Sequence, residues 1–202
     1  MSLILASSSP FRKILLNQLG VAFVVVAPDI DESRRAFETP EQLVFRLAQE
    51  KARKVAQTHS GLIIASDQVA TLANGMGVDD VILTKPHTHA NATRQLEKSS
   101  GNVVTFLTSL ALLNTQTDKM QTIVQLSKVF FKVLSAATIE HYLHTDQPYQ
   151  CAGSFKSETP LGASLFERIE AEDADAIVGL PLIQLTKMLG NEGVNAVNGV
   201  KG

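Results

Sequence analysis

The chain has 202 residues, of which 45% are hydrophobic, 19% charged and 5% aromatic, with 18 Lys+Arg against 20 Asp+Glu. Length and apolar share fit one compact domain, or two closely packed lobes, that buries roughly 70% of its unfolded surface, and they exclude disorder. A net charge of −2 and a pI of about 6.2 exclude a general binder of polymeric nucleic acid, but not a small cationic pocket.

Leu3–Ala6 reads as a short strand cut off by Ser7-Ser8-Ser9-Pro10. Ser9 is placed to cap the helix that Pro10 opens, with Ile14, Leu15 and Leu19 on its apolar face and Gly20 as its stop. Val21–Ala27, β-branched and continuous, predicts a buried strand. It is the longest apolar run in the chain and falls far short of the ~18 residues of a membrane helix. Met1–Ala6 lacks the basic segment of a signal peptide, and the single cysteine, Cys151, cannot form an intramolecular disulfide. These features predict a cytoplasmic protein with no membrane partner.

Asp29–Thr39 reads as a charged loop, and Thr39-Pro40-Glu41-Gln42 as a capping box that opens a helix to about Thr58. Leu43, Val44, Leu47, Ala48 and Val55 form its buried stripe. Leu62–Ser66 predicts a strand ending at Asp67, followed by a loop with Gly75 and Gly77 that leads to Lys85-Pro86. A helix from Thr88 or His89 through Leu96 comes next. Val103–Leu113 and Ile123–Leu134 predict a hairpin joined by Asn114–Lys119. Ser135 opens a helix with Ile139, Tyr142 and Leu143 inward, a short strand lies around Leu165–Ile169, and Pro181–Leu189 forms the last helix. Gly190–Gly202, rich in Gly and Asn, reads as a frayed tail. The order of elements predicts an α/β protein with a mixed sheet.

Several nucleotide and hydrolase fingerprints are missing. Gly75-Met76-Gly77-Val78-Asp79-Asp80 lacks the third glycine of a dinucleotide turn, and there is neither a phosphate loop nor a Gly-x-Ser-x-Gly elbow. His87 with His89, and His141 with His144, have metal-compatible spacings but no Cys or carboxylate motif, and they read as structural or surface histidines.

Six polar groupings remain. Ser7-Ser8-Ser9-Pro10-Phe11-Arg12-Lys13 is either an ordinary capped turn or an anion site. Two cations in a first helical turn oppose the macrodipole at a cost of about 0.3–1 kcal/mol each, and a bound phosphate would reverse that sign. Asp29-Ile30-Asp31-Glu32 reads as a solvated acidic loop. Lys51 lies on or beside the buried stripe of its helix and has no local partner, whereas Glu50 can pair with Arg46 and Lys54; Lys51 is either snorkelling or functional. Ser66-Asp67-Gln68 sits at the end of an apolar strand, where polar groups of open α/β sheets face ligands. Lys85-Pro86 and Ser154-Phe155-Lys156-Ser157-Glu158 complete the set. Cations and carboxylates mixed in this way suit phosphate chemistry, with cations holding phosphates and carboxylates holding a divalent metal or water.

The ordered series Leu3-Ile4-Leu5-Ala6-Ser7-Ser8-Ser9-Pro10-Phe11-Arg12-Lys13, Ala27–Glu32, Leu47–Ala52, Ser66–Val69, Lys85-Pro86, Cys151–Glu158 and Val178–Pro181 resembles the Maf family of nucleoside triphosphate pyrophosphatases from about Leu3 to Leu189. The resemblance implies one domain over residues 1–202 (its last dozen residues being the tail): a bent mixed sheet in two lobes around a cleft, related to inosine triphosphate pyrophosphatases. It also implies hydrolysis of a nucleoside triphosphate to monophosphate and diphosphate with Mg or Mn as the divalent metal cation, and a homodimer. Ser154–Glu158 is similar to the branch that acts on 7-methyl-GTP, and the Tyr-Gly-Ile-Gln-Gly type segment of the dTTP and UTP branch is missing. The same reaction on dTTP, UTP or another modified nucleotide is the alternative, as is a nucleotide-binding regulator of cell division. By resemblance, Asp67 is the catalytic base; Glu32 and Asp67 hold metal; Ser7, Arg12, Lys51 and Lys85 contact phosphate; and Phe11, Gln68 and Glu158 select the base. Thr84 stands where the family usually has Gly, after a lengthened loop Leu72–Leu83, and Phe11 where the branch usually has Trp. A 7-methylguanine ring is cationic, which suits an aromatic face and a carboxylate.

Overall fold

The computed structural model describes residues 1–72 and 81–195. Its strands are β1 (Leu3–Ala6), β2 (Val24–Val26), β3 (Leu62–Leu72), β4 (Val81–Leu83), β5 (Val103–Asn114), β6 (Lys119–Phe131) and β7 (Phe166–Ala171). Its helices are α1 (Pro10–Asn17), α2 (Pro40–Ala56), α3 (His89–Ser99), α4 (Ala136–Asp146), α5 (Pro160–Ser164), α6 (Ala174–Val178) and α7 (Leu182–Asn191). The strand order is β2-β1-β3-β5-β6-β7, with β4 paired to β3. β1 pairs in parallel with β2 and β3, while β3–β4 and β6–β7 are antiparallel, so the sheet is mixed as expected.

The chain divides into two compact units. The first comprises Met1–Asp67, Thr108–Gln125 and the segment from Asp173 onward; the second comprises Gln68–Leu107 and Leu126–Glu172. In the first, the period of two in β1 and β3 separates two apolar faces. Leu3, Leu5, Leu62 and Ile64 cluster with Leu15 and Leu16 of α1 and with Leu182, Leu185 and Leu189 of α7. Ile4, Ala6, Ile63 and Ala65 cluster instead with Ala52 and Val55 of α2. Both faces of these strands are therefore covered, which is why the strands read as unbroken apolar runs. Each fully buried Leu or Ile contributes roughly 1.5–3 kcal/mol, so the polar groups carried by these strands rest on a strong local scaffold.

In the second unit Phe155 is the hub of an aromatic core, 5.1, 5.8 and 6.1 Å from the ring centroids of Phe131, Phe166 and Phe106. The α3 helix packs on α4, whose Ile139, Tyr142 and Leu143 are buried as the apolar spacing predicts. The capping signals also hold: Gln42 N–H donates to Thr39 Oγ1 (3.2 Å) and Thr39 N–H to Gln42 Oε1 (2.9 Å).

The structure corrects several expectations. The strand within Val21–Ala27 is only Val24–Val26, and Val24 and Val25 are exposed because β2 pairs with β1 alone at the sheet edge. The strand through Ser66 does not end at Asp67 but continues to Leu72. Its polar centre persists inside a strand because Ser66 and Asp67 find specific partners, described below. The presumed loop before Lys85 contains β4, which pairs with β3, and the remainder of that loop, 73–80, lies outside the described residues. The short helices α5 and α6 were not expected. Each is five residues long, too short to show a periodic pattern, yet Thr159 and Asp173 cap them. The last helix extends through Asn191, beyond the Gly190 expected to begin the tail, and 196–202 lie outside the described residues.

Candidate active site

The first unit assembles a charged group from segments far apart in sequence. Lys51 points from α2 and is only 5% exposed. Its Nζ donates to Asp67 Oδ1 at 2.5 Å and lies 2.9 Å from Glu32 Oε1. The snorkelling reading is thereby overturned, since a snorkelling lysine carries its ammonium to water. Asp67 is 7% exposed, whereas the Glu32 side chain is 54% exposed, so the cluster has a buried end and a wet end.

Asp67 is held through its backbone as well. Its N–H donates to Ser109 Oγ (3.0 Å), and Ser109 Oγ–H donates back to the Asp67 carbonyl (3.2 Å). The neighbouring Ser66 hydroxyl donates to the Gly179 carbonyl at 2.8 Å. A buried polar strand centre is tolerated only with such partners.

Arg12 completes the cluster. Ser9 caps α1 through the Arg12 N–H, and the Arg12 side chain turns back so that Nε donates to the Gly179 carbonyl (2.9 Å) and Nη1 reaches Ser7 Oγ (3.5 Å). Burial pulls the guanidinium pKa down, and the charges of Asp67 and Glu32 offset part of that pull. Gly179 has φ 123°, a conformation that side chains rarely adopt, and a Cβ there would stand 3.4 Å from Arg12 Nε. Ser7 is buried and accepts from the Ser9 N–H (3.1 Å), while Phe11 and Arg12 are half-buried.

The acidic loop is not simply solvated. Arg46 donates to both oxygens of Glu38 (2.6 and 2.8 Å) and to the Ser33 carbonyl (3.0 Å), and Arg34 Nε donates to the Glu38 carbonyl. This clasp ties the loop bearing Glu32 to α2. The Arg46 hydrogen bonds, joined by the Arg35 N–H, hold the Glu38 carboxyl down to about 2 against the opposing pull of burial. Glu50 pairs with Arg46 as expected, but its other partner is Arg35 rather than Lys54.

Gln68, Lys85 and Glu158 belong to the second unit. Gln68 is half-buried; Lys85 and Glu158 are exposed. Lys85 lines a pocket of about 250 Å³ together with Thr84, Arg94 and Lys98. Thr84 does not adopt a left-handed backbone, so its position places no conformational demand for glycine. Phe155 is core, and the Lys156 ammonium donates to the Asp146 carbonyl (2.5 Å). Burial pushes the Cys151 thiol up to about 11, against the lowering effect of Lys156, so this thiol is a poor nucleophile.

Sequence reasoning brought Ser7, Arg12, Glu32, Lys51 and Asp67 to notice, and the first unit joins them. It missed Ser109, Gly179 as the anchor of Arg12, and the Glu38–Arg46 clasp. Only Gly179 carried a signal, as a glycine between Val178 and Leu180-Pro181.

The donor chemistry suits a hard divalent cation. Glu32 and Asp67 offer carboxylate oxygens that converge on one ammonium, and Mg²⁺ or Mn²⁺ is commonly held by one or two carboxylates together with substrate phosphates.

Residues 2–192 match the family described as Maf-like protein. The chain is 51% identical over 193 residues to the 7-methyl-GTP pyrophosphatase of Pseudomonas fluorescens (strain Pf0-1), covering 95% of this chain and 97% of that one. It is 45% identical over 195 residues to the 7-methyl-GTP pyrophosphatase of Vibrio cholerae serotype O1, with 96% and 97% covered. Among solved structures, a nucleoside-triphosphatase / dITP/XTP pyrophosphatase from Mycobacterium abscessus is similar at a TM-score of 0.45 and 15% identity, over 67% of this chain and 77% of that one.

Proposed function

The chain belongs to the Maf-like protein family, and on that premise we propose that it is a nucleoside triphosphate pyrophosphatase that converts 7-methyl-GTP to 7-methyl-GMP and diphosphate. Relatives named for this activity, at 45% to 51% identity over nearly the whole chain, support the reading. The observation that carries it is the Lys51 ammonium buried between Asp67 Oδ1 (2.5 Å) and Glu32 Oε1 (2.9 Å).

A triphosphate brings several negative charges, and Lys51 and Arg12 are cations of this cluster able to meet them. Arg12 stays protonated at any working pH and offers a planar fork suited to phosphate oxygens. The Ser7 hydroxyl, within reach of Arg12 Nη1, adds a donor. Glu32 and Asp67 would hold Mg²⁺ or Mn²⁺, which when bound supplies charge neutralisation to the phosphates. A carboxylate has two oxygens, so Asp67 can hold Lys51 through Oδ1 and still orient a water or take its proton through Oδ2. The Ser109 clamp fixes the main chain of Asp67 while this happens. Phe11, Gln68 and Glu158 keep base selection as the role the resemblance implies, and Lys85 keeps phosphate contact.

General-base assistance is typically worth ~10²–10⁴-fold, so Asp67→Asn, in the fraction that remains folded, is expected to slow diphosphate release from 7-methyl-GTP by that factor. A folded Asp67→Asn variant that works at the wild-type rate would remove Asp67 from the reaction.

A further inference from the structure

The second unit holds a grouping of side chains that the proposed hydrolysis leaves unused. His89 is the first residue of α3, while Glu140 and His144 lie one turn apart on α4. His89 Nε2 stands 3.1 and 3.0 Å from the two Glu140 oxygens, and His144 Nε2 is 3.5 Å from Glu140 Oε2. One ligand atom from each of the three residues lies within 4.8 Å of the others. The two imidazoles face each other with centroids 5.3 Å apart. The sequence pairs His87 with His89 and His141 with His144, but the fold pairs one histidine from each.

Tyr149 Oη lies 3.3 Å from the Leu143 carbonyl and 3.1 Å from His89 Nδ1, so one ring nitrogen of His89 is held by the phenol while the other faces the Glu140 carboxylate.

The surroundings fit a metal ion. Around a tetrahedral ion bound at ~2.0–2.1 Å, ligand atoms stand about 3.3 Å apart, and the observed 3.0 and 3.5 Å bracket that value. Two imidazoles and one carboxylate form a three-ligand set of the kind that leaves a fourth position to water. Tyr149 Oη, 3.1 Å from His89 Nδ1, is the kind of outer hydrogen-bond partner that orients a ligating histidine. Its own main chain is anchored, because the Tyr149 carbonyl accepts the His87 N–H at 3.1 Å. His144 lies in the last turn of α4, where the helix dipole favours positive charge. All three side chains reach solvent, with 38%, 46% and 76% exposure for His89, Glu140 and His144, so an ion has a path in.

We propose that His89, Glu140 and His144 form a binding site for one divalent transition-metal ion of the zinc class. Imidazole donors favour Zn²⁺, Co²⁺ or Ni²⁺ over Mg²⁺, which separates this site from the oxygen donors of Glu32 and Asp67.

The test uses full-length, tag-free, metal-stripped protein titrated calorimetrically with ZnCl₂ in excess Mg²⁺. Wild type is expected to bind one Zn²⁺ per chain. Glu140→Gln and His144→Ala are expected to weaken that binding by at least ~10–100-fold with circular dichroism unchanged, and Asp67→Asn to leave it intact. Co²⁺ is expected to give the visible absorption of a tetrahedral site, lost in the same two variants. No Zn²⁺ binding by wild type above the Mg²⁺ background would overturn the proposal. So would zinc binding that survives in His144→Ala but disappears in Asp67→Asn. The readout is binding rather than turnover, so it stands apart from the fate of the hydrolase reading.

Discussion

The two units each hold a small ionic cluster, and the clusters are built as opposites. In the first, one ammonium lies between two carboxylates, Asp67 and Glu32; in the second, one carboxylate, Glu140, lies between two imidazoles. The first is anchored in a covered sheet, with Lys51 and Asp67 5% and 7% exposed, while the second sits on two helix surfaces open to water. Burial makes each charge in the first cluster depend on its neighbours, because an unpaired buried ion costs several kcal/mol. Exposure makes the second cluster nearly neutral for stability and sensitive to which cation is present.

This contrast is broken most sharply by removing the central cation of the first cluster. Lys51→Met leaves Asp67 charged and buried, so unfolding free energy is expected to fall by about 3–5 kcal/mol in denaturant titrations. kcat/KM for nucleotide hydrolysis is expected to fall by ~10² or more. A variant of normal stability would place Asp67 in a wetter setting than the structure does.

Arg46→Ala opens the clasp on the acidic loop, and the loss of charged hydrogen bonds to Glu38 is expected to cost about 1.5–3 kcal/mol. The pH dependence has a definite sign. Glu38 is held to about 2, below its usual 4.5, so the clasp stabilises the fold fully above the higher value and the benefit is lost as pH falls toward the lower one. Melting curves of Arg46→Ala are therefore expected to fall less steeply than wild type from about pH 5 to pH 2.

Gly179→Ala adds a methyl at φ 123° beside Arg12 Nε, and an expected loss of about 1–2 kcal/mol together with a raised KM would tie that turn to phosphate binding. Unchanged kinetics would confine Gly179 to a structural role. His144→Ala marks the small end of the range: its stability is expected to stay within about 0.5 kcal/mol of wild type in metal-free buffer.

Much of this was legible in the sequence, and the reasons are local. The capping residues Ser9, Thr39, Thr88 and Ser135 act within three residues of their partners, so α1, α2, α3 and α4 start where the spacing says. The alternating faces of β1 and β3 were hidden inside continuous apolar runs because both faces are covered. Ser66-Asp67-Gln68 reads as a strand end, since three polar residues interrupt an apolar run and partners distant in sequence leave no local mark. Those for Ser66 and Asp67 come from Ser109, Gly179 and Lys51, up to 113 residues away. The same limit hid His89 from His144: periodicity shows that a residue lies on a helix, but not which helix packs against it.

The central claim, that the chain hydrolyses a modified nucleotide with the Lys51–Asp67–Glu32 cluster, is tested most directly by diphosphate release. The substrates are 7-methyl-GTP, GTP, dTTP and UTP at equal concentration, with Mg²⁺, for wild type and Asp67→Asn in parallel. The expected result is release fastest from 7-methyl-GTP and lost in the variant. Nucleotide binding that raises the melting temperature with no diphosphate released from any of the four would contradict it.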